Sequence, residues 1–557
     1  MLLSGSDILV KTLIEQEVDT VFGYPGGQIL NVYDSLYKYQ NEINHVLTAH
    51  EQGAAHAADG YARTTGKVGV VISTSGPGAT NLVTGIATAY LDSIPMVAIC
   101  GNVPTTQIGT DSFQEIDITG VTLPITKHNY FVSNVADLAN TIREAFKLAK
   151  SGRPGPVLID VPKDVQIAKC EYEVISPVEK ETPYAAKDVR IEEAAEIINS
   201  AKRPFIYFGG GVITADAEEE VLALAEKIDA PIGCSLMGLS AIPTHHPRFL
   251  GMQGMHGHFA SSMSMHNADV ILSLGVRFND RVTGNRTKFA VGAKIVHVDV
   301  DGSELNKTVN SVCGLRGDVK RTLQKLLPLL NESKKDEWKE KVNAFRREEE
   351  NYLDNREGLT PRRAILTLNK HLGENTAVCT DVGQHQMWSA QNLNFKKTRR
   401  FASSGGLGTM GYGFGAAIGA AYGTGERSVL ITGDGSFGMN LNELATAVRY
   451  NVPVVVIIMN NGVLGMVRQW QTLFYDRHYS NSVLERKTDF TAFAKAFGAE
   501  GEAVTTPEEL DAALDRAFKT EGPYIVDCKI DKDEFVLPML PPNGSMDDII
   551  TQLEVQK

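Results

Sequence analysis

The sequence lacks the features that mark secreted, membrane-spanning and nucleic-acid-binding proteins. Its six cysteines include no C-x-x-C pair, and no apolar run approaches the ~20 residues that a bilayer-spanning helix needs. A net charge of −13 repels phosphate backbones and anionic membrane surfaces. The N-terminal segment carries acidic residues and is not expected to be a cleavable signal. We therefore expect a cytoplasmic protein that has neither a nucleic-acid nor a membrane partner.

Short solenoid repeats and the composition of a disordered chain are also absent. Hydrophobic residues make up 43% of the sequence and charged residues 22%, as in ordinary globular proteins. At 557 residues the chain exceeds what one hydrophobic core usually organises. The sequence thus predicts two or three domains.

Apolar, β-branched runs alternate with helical periods along nearly the whole chain. Runs of this kind are typical of strands that are buried on both faces of a parallel sheet. The fold class predicted is α/β, with three domains that are each a mainly parallel sheet flanked by helices. The predicted strands cover residues 68–73, 96–100, 157–161, 205–208, 270–274, 294–298, 378–380, 428–432, 454–459 and 524–528.

Two polar stretches interrupt this alternation and serve as predicted boundaries. The first covers about 164–190 and contains Glu179, Lys180, Glu181, Thr182 and Pro183. The second, about 331–360, contains a highly charged helical sequence that favours a surface connector. We accordingly predict a first block (1–165), a central block (188–335), a third block (360–535) and a C-terminal tail (536–557).

The ends of two predicted strands in the third block carry residues that suit a metal ion. One strand ends at Gly433, Asp434 and Gly435, and the next along the chain ends at Asn460 and Asn461. Open α/β sheets bind ligands where their strands end. A carboxylate and an amide offer the oxygen ligands that Mg²⁺ prefers and leave room for phosphate oxygens. If the two strands are neighbours, Asp434 and Asn461 can bind one ion.

The run GDGSFGMN through MNN resembles the thiamine-diphosphate fingerprint, and other segments narrow the resemblance. They include VFGYPGG, AHEQGAAHAADGYAR, STSGPGATN, GTDSFQE, GRPGPVLIDVPKDV, RFNDRVTG, TDVGQHQMW and GMVRQWQTLFY. Together they cover almost the whole chain, which resembles the acetolactate synthase (acetohydroxyacid synthase) catalytic subunits. The resemblance implies that pyruvate is decarboxylated and joined to a second pyruvate or to 2-oxobutanoate, at the first common step of branched-chain amino-acid biosynthesis.

The resemblance also implies roles for residues around thiamine diphosphate. Asp434, Asn461 and the main-chain oxygen of Val463 would bind Mg²⁺. Glu51 would contact the aminopyrimidine ring of a cofactor held by a partner subunit, because a carboxylate there favours the imino tautomer. The other cofactor-binding residues implied are Gly383, Gln384, His385, Gly408, Met410, Gly433, Gly435, Ser436 and Met466.

On the substrate side, the resemblance implies that Gly26, Gly27, Phe113, Gln114 and Lys163 line the site. Gly27, Gln114 and Lys163 would join Glu51 in catalysis, and Gln28 departs from the alanine expected after the paired glycines. Met466 and Trp470 would face the substrate. The segment that carries them shows little regular secondary-structure pattern, so it is either a lid that closes over the cofactor or a packed surface loop.

The central block carries FGGGVI, GMHG and RFNDRVTG, which alone are weak nucleotide-binding signals. The resemblance implies FAD in a structural role and favours the flavin-containing biosynthetic branch, although Asn279 departs from the usual loop. The residues implied are Arg153, Gly209, Gly210, Met255, His256, Gly275, Arg277, Asp299 and Asp318, with Arg281 in the same loop.

Three rival functions are compatible with parts of the pattern. Glu51 disfavours a glyoxylate carboligase, while GMVRQW and RFNDRVTG disfavour a pyruvate oxidase. A non-catalytic flavin- or nucleotide-binding protein would require a degenerate site. The resemblance further implies a homodimer or a dimer of dimers and a regulatory small subunit, whereas the acceptor preference stays open.

Overall fold

A computed structural model describes residues 1–178 and 183–552 and contains three six-stranded parallel sheets, each flanked by helices. The predicted α/β fold class is confirmed. Glu179, Lys180, Glu181 and Thr182 of the first predicted boundary and residues 553–557 of the predicted tail lie outside the described residues. Within the described ranges, every helix is too short or too polar to cross a bilayer.

The first sheet has the strand order β3-β2-β4-β5-β7-β6. Its strands are β2 (Thr20–Gly23), β3 (Asn44–Leu47), β4 (Gly69–Ser73), β5 (Met96–Asn102), β6 (His128–Phe131) and β7 (Pro156–Pro162). A separate antiparallel pair consists of β1 (Leu2–Ser4) and β8 (Lys169–Glu171). The helices of this part are α1 (Gly5–Glu15), α2 (Leu30–Lys38), α3 (Glu51–Thr65), α4 (Pro77–Asn81), α5 (Val83–Asp92), α6 (Ile118–Thr122), α7 (Val135–Lys150) and α8 (Lys163–Ile167).

The central sheet has the order β11-β10-β9-β12-β13-β14. Its strands are β9 (Pro204–Phe208), β10 (Ile232–Cys234), β11 (Phe249–Met252), β12 (Val270–Leu274), β13 (Lys294–Asp299) and β14 (Cys313–Arg316). The helices around it are α9 (Asp188–Asn199), α10 (Gly210–Thr214), α11 (Glu218–Lys227), α12 (Phe259–Asn267), α13 (Asp280–Thr283), α14 (Val319–Leu326) and α15 (Asp336–Glu349).

The third sheet has the order β16-β15-β17-β18-β20-β19. Its strands are β15 (Ala377–Thr380), β16 (Phe401–Ala402), β17 (Ser428–Gly433), β18 (Val454–Asn460), β19 (Glu500–Val504) and β20 (Tyr524–Lys529). Its helices are α16 (Pro361–Leu368), α17 (Gln384–Asn392), α18 (Gly413–Thr424), α19 (Asp434–Asn440), α20 (Leu444–Arg449), α21 (Gly465–Phe474), α22 (Phe490–Phe497) and α23 (Pro507–Ala517).

The apolar runs form strands because both faces of each sheet are covered. In β5, Val97 and Ile99 enter one hydrophobic cluster, while Met96, Ala98 and Cys100 enter another on the opposite face. Successive side chains of a strand point to opposite faces, so a strand covered on both sides must be apolar at every position. All ten predicted runs are strands in the structure.

The charged stretch of the second predicted boundary is helical, but it is more than a surface connector. Its helix, α15, buries Trp338, Val342 and Phe345 in a cluster with Phe205 and Tyr207 of the central sheet. The Trp338 indole nitrogen donates to the Pro204 carbonyl at 3.0 Å. These apolar positions recur at helical spacing, so α15 is one of the helices that cover the central sheet.

Helices α3 and α18 pack more extensively than any other pair of elements in the described ranges. A Cβ at Gly419 would overlap the carbonyl oxygen of Ala57, and a Cβ at Gly60 would overlap that of Ala416. The small residues of both helices therefore bring the two backbones into direct contact. This contact joins the first block to the third.

Replacing Gly419 by alanine is expected to lower the free energy of unfolding. The new methyl group would push two helix backbones apart at a cost of about 2 kcal/mol or more, which exceeds the ~1 kcal/mol that alanine gains in helix propensity. Chemical denaturation measures the change. Gly292→Ala is the control, since open space surrounds Gly292. Equal stability of the two variants would contradict the close contact.

One buried carboxyl group lies near the end of β7. Asp160 is 2% exposed, and its Oδ2 accepts from the Asn102 amide at 2.7 Å. Its Oδ1 has no hydrogen-bond partner within residues 1–178 and 183–552. Burial raises the pKa of Asp160 to about 7, because the charged form is poorly solvated there.

Asp160→Asn is expected to stabilise the protein more at pH 8 than at pH 5.5. An unfolded aspartate has a pKa of about 3.9, so the contribution of this carboxyl group to stability is full below that pH. It is then lost as the pH rises through about 7. Asparagine cannot ionise, so the variant is spared this loss. The difference in the free energy of unfolding between variant and wild type should therefore be about 2 kcal/mol more favourable to the variant at pH 8 than at pH 5.5. Denaturation at both pH values tests this, with the exposed Asp34→Asn as control, and an equal gain at both would contradict it.

Candidate active site

The two strands that carry the predicted metal ligands are neighbours. Strands β17 and β18 pair in parallel, with Gly433 opposite Met459, so Asp434 and Asn461 follow at the same edge of the sheet. Burial raises the pKa of Asp434, and the nearby main-chain N–H of Asn461 opposes that rise. The side-chain oxygen of Asn461 accepts from the Val463 nitrogen at 3.2 Å. The three predicted ligands thus form one contiguous group.

The Asp434 carboxylate fits a role in binding a cation. Its Oδ1 is buried, and no hydrogen-bond donor reaches it from the described part of the chain. Burial raises the pKa of Asp434 to about 6. The described residues contain no group of three His, Cys, Asp or Glu side chains suited to a metal, so amide and carbonyl oxygens must complete the set. A hard cation such as Mg²⁺ accepts those ligands.

Side chains from α17 pack against this edge. Gln384 accepts from the Asn461 amide at 3.4 Å and donates to the Glu534 carbonyl at 2.7 Å. A Cβ at Gly433 would lie 3.0 Å from Nδ1 of His385, so glycine is required for the imidazole to approach. Burial lowers the pKa of His385 to about 3, which keeps the ring neutral beside the cation site.

Glu51 lies in a second group of residues, in the first block. It is half-buried at the first position of α3, and its Oε2 accepts from the Asn81 amide at 3.0 Å. A Cβ at Gly78 would stand 3.1 Å from Oε1 of Glu51. Helix α4, which follows β4, therefore packs directly against this carboxylate.

The other predicted first-block residues come from three separate segments of the chain. Gln114 has a φ of +64°, a conformation that residues other than glycine rarely adopt, and it packs against Gly76. The Lys163 ammonium donates to the Gly27 carbonyl at 3.2 Å. Phe113 is 84% exposed, so its ring is available to another surface.

A cavity of about 1610 Å³ lies between the three blocks. Common ligand pockets measure about 300–1,000 Å³, so this one has room for more than one small ligand. All ten residues predicted for flavin line it, as do Gly383, Gly408, Met410, Met466 and Trp470. The lining includes neither Glu51, Gln114, Gly27, Lys163 and Phe113 nor the Asp434 and Asn461 side chains.

The central-block wall of the cavity suits a polyanionic nucleotide. Burial lowers the pKa of the Arg277 guanidinium, which donates to the Leu91 carbonyl. Arg153 donates to the Ser93 hydroxyl at 2.8 Å and pairs with Glu304 at 3.0 Å. A Cβ at Gly209 would meet the Gly275 carbonyl oxygen at 2.6 Å. The cations and the close glycine backbones fit a dinucleotide such as FAD.

Three other residues of this wall, His256, Asp299 and Asp318, are ionisable side chains that are not paired with Arg153 or Arg277. Burial lowers the pKa of His256 to about 4 and raises that of Asp299 to about 6. The Asp318 carboxylate accepts from the Arg321 nitrogen and caps α14. Asp318 therefore faces the cavity while it also has a structural role.

The segment predicted as a lid or a loop begins with a regular helix, α21. The expectation of little regular structure is wrong for Gly465–Phe474. Met466, Trp470 and Phe474 recur at helical spacing, and the rings of the last two pack edge to face at 5.6 Å. Gln469 anchors the opposite side through hydrogen bonds with the main chain of Val536. The guanidinium of Arg281 lies 5.8 Å from the Trp470 ring centroid.

Several residues in or beside these groups escaped the sequence interpretation. Asn81 and Gly78 lie in STSGPGATN. The family resemblance includes this segment but implies no role for either residue. Arg399 belongs to a short basic run, with Lys396, Lys397 and Arg400, that by its sequence is interpreted as a solvated turn; in the structure Arg399 lines the cavity and pairs with Asp216. A single cation in a charged run gives no signal of this kind.

Comparison with protein-family models gives three matches in chain order. Residues 3–121 match the thiamine pyrophosphate enzyme N-terminal TPP binding domain, residues 191–326 the central domain, and residues 381–528 the C-terminal TPP binding domain.

Curated relatives match over nearly the full length. The probable acetolactate synthase large subunit of Methanocaldococcus jannaschii is 44% identical over 100% of this chain and 96% of its own length. The acetolactate synthase isozyme 3 large subunit of Escherichia coli is 42% identical over 98% of both chains. The acetolactate synthase large subunit of Corynebacterium glutamicum is 44% identical over 98% of this chain and 90% of its own.

Proposed function

Because the chain belongs to the acetolactate synthase large subunits, a family of thiamine-diphosphate enzymes, we propose how its residues carry out that reaction. The protein decarboxylates pyruvate and joins the remaining two carbons to a second 2-oxo acid, in branched-chain amino-acid biosynthesis. The observation that supports the residue assignment best is the buried Asp434 carboxylate beside Asn461, with one oxygen lacking a partner among the described residues.

Asp434, Asn461 and the Val463 carbonyl would bind Mg²⁺, and the cation would anchor the diphosphate of the cofactor. Gly383, Gly408, Met410, Gly433, Gly435 and Ser436 let the diphosphate approach the backbone, with Gln384 and His385 packed behind them. When bound, thiamine diphosphate supplies the nucleophilic carbon and the electron sink for decarboxylation and transfer. The metal site fixes the cofactor but does not select the acceptor.

Glu51 would share a proton with the aminopyrimidine ring of the cofactor, and Asn81 orients its half-buried carboxylate for that contact. We propose that this ring belongs to the partner of a homodimer. Glu51 lies outside the cavity of its own chain, and Phe113 of the same block exposes an aromatic ring. Two copies would bring the first-block group of one chain to the third-block group of the other.

The 2-oxo acids bind between these groups. The Lys163 ammonium attracts the carboxylate of the substrate, and Gln114 and the Gly27 main chain bind its reacting oxygen. Phe113, Met466 and Trp470 form apolar walls that exclude water, which would otherwise divert the reaction to acetaldehyde. Acceptors would be pyruvate and 2-oxobutanoate, giving 2-acetolactate and 2-aceto-2-hydroxybutanoate.

FAD is the proposed ligand of the central-block wall. The support is that Arg153, Gly209, Gly210, Met255, His256, Gly275, Arg277, Asp299 and Asp318 line one cavity large enough for both cofactors. The ligation needs no net electron transfer, so the flavin would act as a structural element.

The remaining predictions concern organisation. We propose domains at 1–165, 188–335 and 360–535 with a tail at 536–557, and the packing of α15 favours extending the central domain to 349. A dimer of dimers, a regulatory small subunit and a cytoplasmic location stay predictions.

Purified protein given pyruvate, Mg²⁺ and thiamine diphosphate is expected to form acetolactate, measured by decarboxylation to acetoin. Removing divalent metal with a chelator should abolish turnover, and added Mg²⁺ should restore it. A visible spectrum recorded beforehand should show bound flavin. Acetaldehyde or acetate as the sole product would contradict carboligation, and a flavin-free active protein would contradict the FAD assignment alone.

Mixing two inactive variants tests the shared site. Glu51→Gln and Asp434→Asn chains, unfolded together and refolded, should form mixed dimers with one intact site. The mixture should then recover about a quarter of wild-type activity. Each variant refolded alone is the control and should stay inactive. If both groups serve one site within a single chain, the mixture will stay inactive as well.

A further inference from the structure

A buried carboxylate from the third block contacts the residues that directly precede Glu51. Glu443 is fully buried. Its Oε2 accepts from the Ala49 nitrogen at 3.1 Å and its Oε1 accepts from the His50 nitrogen at 3.0 Å. These partners lie 394 and 393 residues away in sequence. The Thr446 hydroxyl donates to the same carboxylate at 2.6 Å.

These contacts fix the start of α3. The first N–H groups at a helix start have no partner within the helix, and acceptors placed there define the path of the chain into it. His50 precedes the helix, and its ring nitrogen accepts from the Gln52 nitrogen at 3.1 Å. With both of these N–H groups held by Glu443, the backbone that leads into Glu51 has one orientation.

The fit around Glu443 is tight on the helix side as well. A Cβ at Gly53 would overlap the Glu443 carboxylate. The three atoms nearest to that Cβ all belong to the Glu443 side chain. Burial, with a smaller contribution from the nearby Glu51 carboxylate, raises the pKa of Glu443 to about 7. The first turn of α3 thus lies directly on Glu443.

We propose that Glu443 is a positioning residue for the reaction, which holds Glu51 at the orientation that its contact with the aminopyrimidine ring requires. This proposal rests on the proposed role of Glu51. Glu443 follows α19, whose first residue is Asp434. One short segment therefore carries both a metal ligand and the support of the proton-sharing carboxylate.

Glu443→Gln tests the proposal. It keeps the shape of the side chain but replaces one acceptor oxygen by a donor, so one of the two main-chain N–H groups loses its partner. We expect kcat for acetolactate formation to fall about ten- to hundredfold, with KM for pyruvate and the Kd of thiamine diphosphate within about twofold of wild type. In the cofactor-free protein, amide hydrogen exchange at residues 49–53 should accelerate.

Gly53→Ala provides a second route that leaves Glu443 in place. The added methyl group should displace the carboxylate and give the same kcat loss and the same faster exchange. Alanine favours a helix more than glycine does, so a weaker helix cannot explain that result. Glu15→Gln is the matched control, because Glu15 is a buried first-block carboxylate that also accepts from a main-chain nitrogen, that of Ile175. It should change neither kcat nor exchange at 49–53.

The outcomes separate this proposal from the function on which it rests. A wild-type protein that makes no acetolactate contradicts the proposed function, while the exchange data still test the contact. Unchanged kcat with unchanged exchange at 49–53 in both variants overturns the positioning role. The positioning role is also overturned if kcat, the affinity for thiamine diphosphate and the thermal stability all fall together while hydrogen exchange rises throughout the protein. That result would indicate a structural role alone.

Discussion

The direct contact between the backbones of α3 and α18 is the constraint on which the rest of the structure depends. Gly60 and Gly419 are needed there because a side chain at either position would overlap a carbonyl group of the other helix. The contact holds the first block against the third. The residues at the start of α3 therefore lie within hydrogen-bonding distance of Glu443. The position of Glu51 therefore depends on the packing of α18, a helix that contains none of the residues assigned to the reaction.

A single chain holds two groups of residues that do not meet around one cavity. The third-block group offers oxygen ligands for a cation, and the first-block group offers a carboxylate, an amide and an ammonium group. Neither Glu51 nor the Asp434 side chain lines the large cavity between the three blocks. The first-block group of one copy could meet the third-block group of a second copy, which is the physical reason to expect that two copies cooperate.

Each of the ten predicted runs is an inner strand of one of the three sheets, whereas no edge strand of these sheets was predicted. The inner strand β10 was missed as well, because its three residues are too few to form a recognisable run. Strands such as β5 and β18 are covered on both faces, and that burial demands continuous apolar residues. The edge strands β3, β6 and β19 expose much of their surface. Polar side chains can remain solvated there, so these strands do not form continuous apolar runs in the sequence. The helix α21 was missed for a different reason: Met466, Trp470 and Phe474 have helical spacing, but polar residues are buried on its other side.

The sequence by itself determined the α/β class, the candidate metal ligands Asp434 and Asn461, and the family. Each depends on local spacing or on motifs that are contiguous in the chain. Only the tertiary structure decided that Glu443 contacts the two residues that precede Glu51 and that Arg399 lines the cavity. Those contacts join residues far apart in sequence. A buried carboxylate in a helical segment gives no local sign of the partner that it will meet.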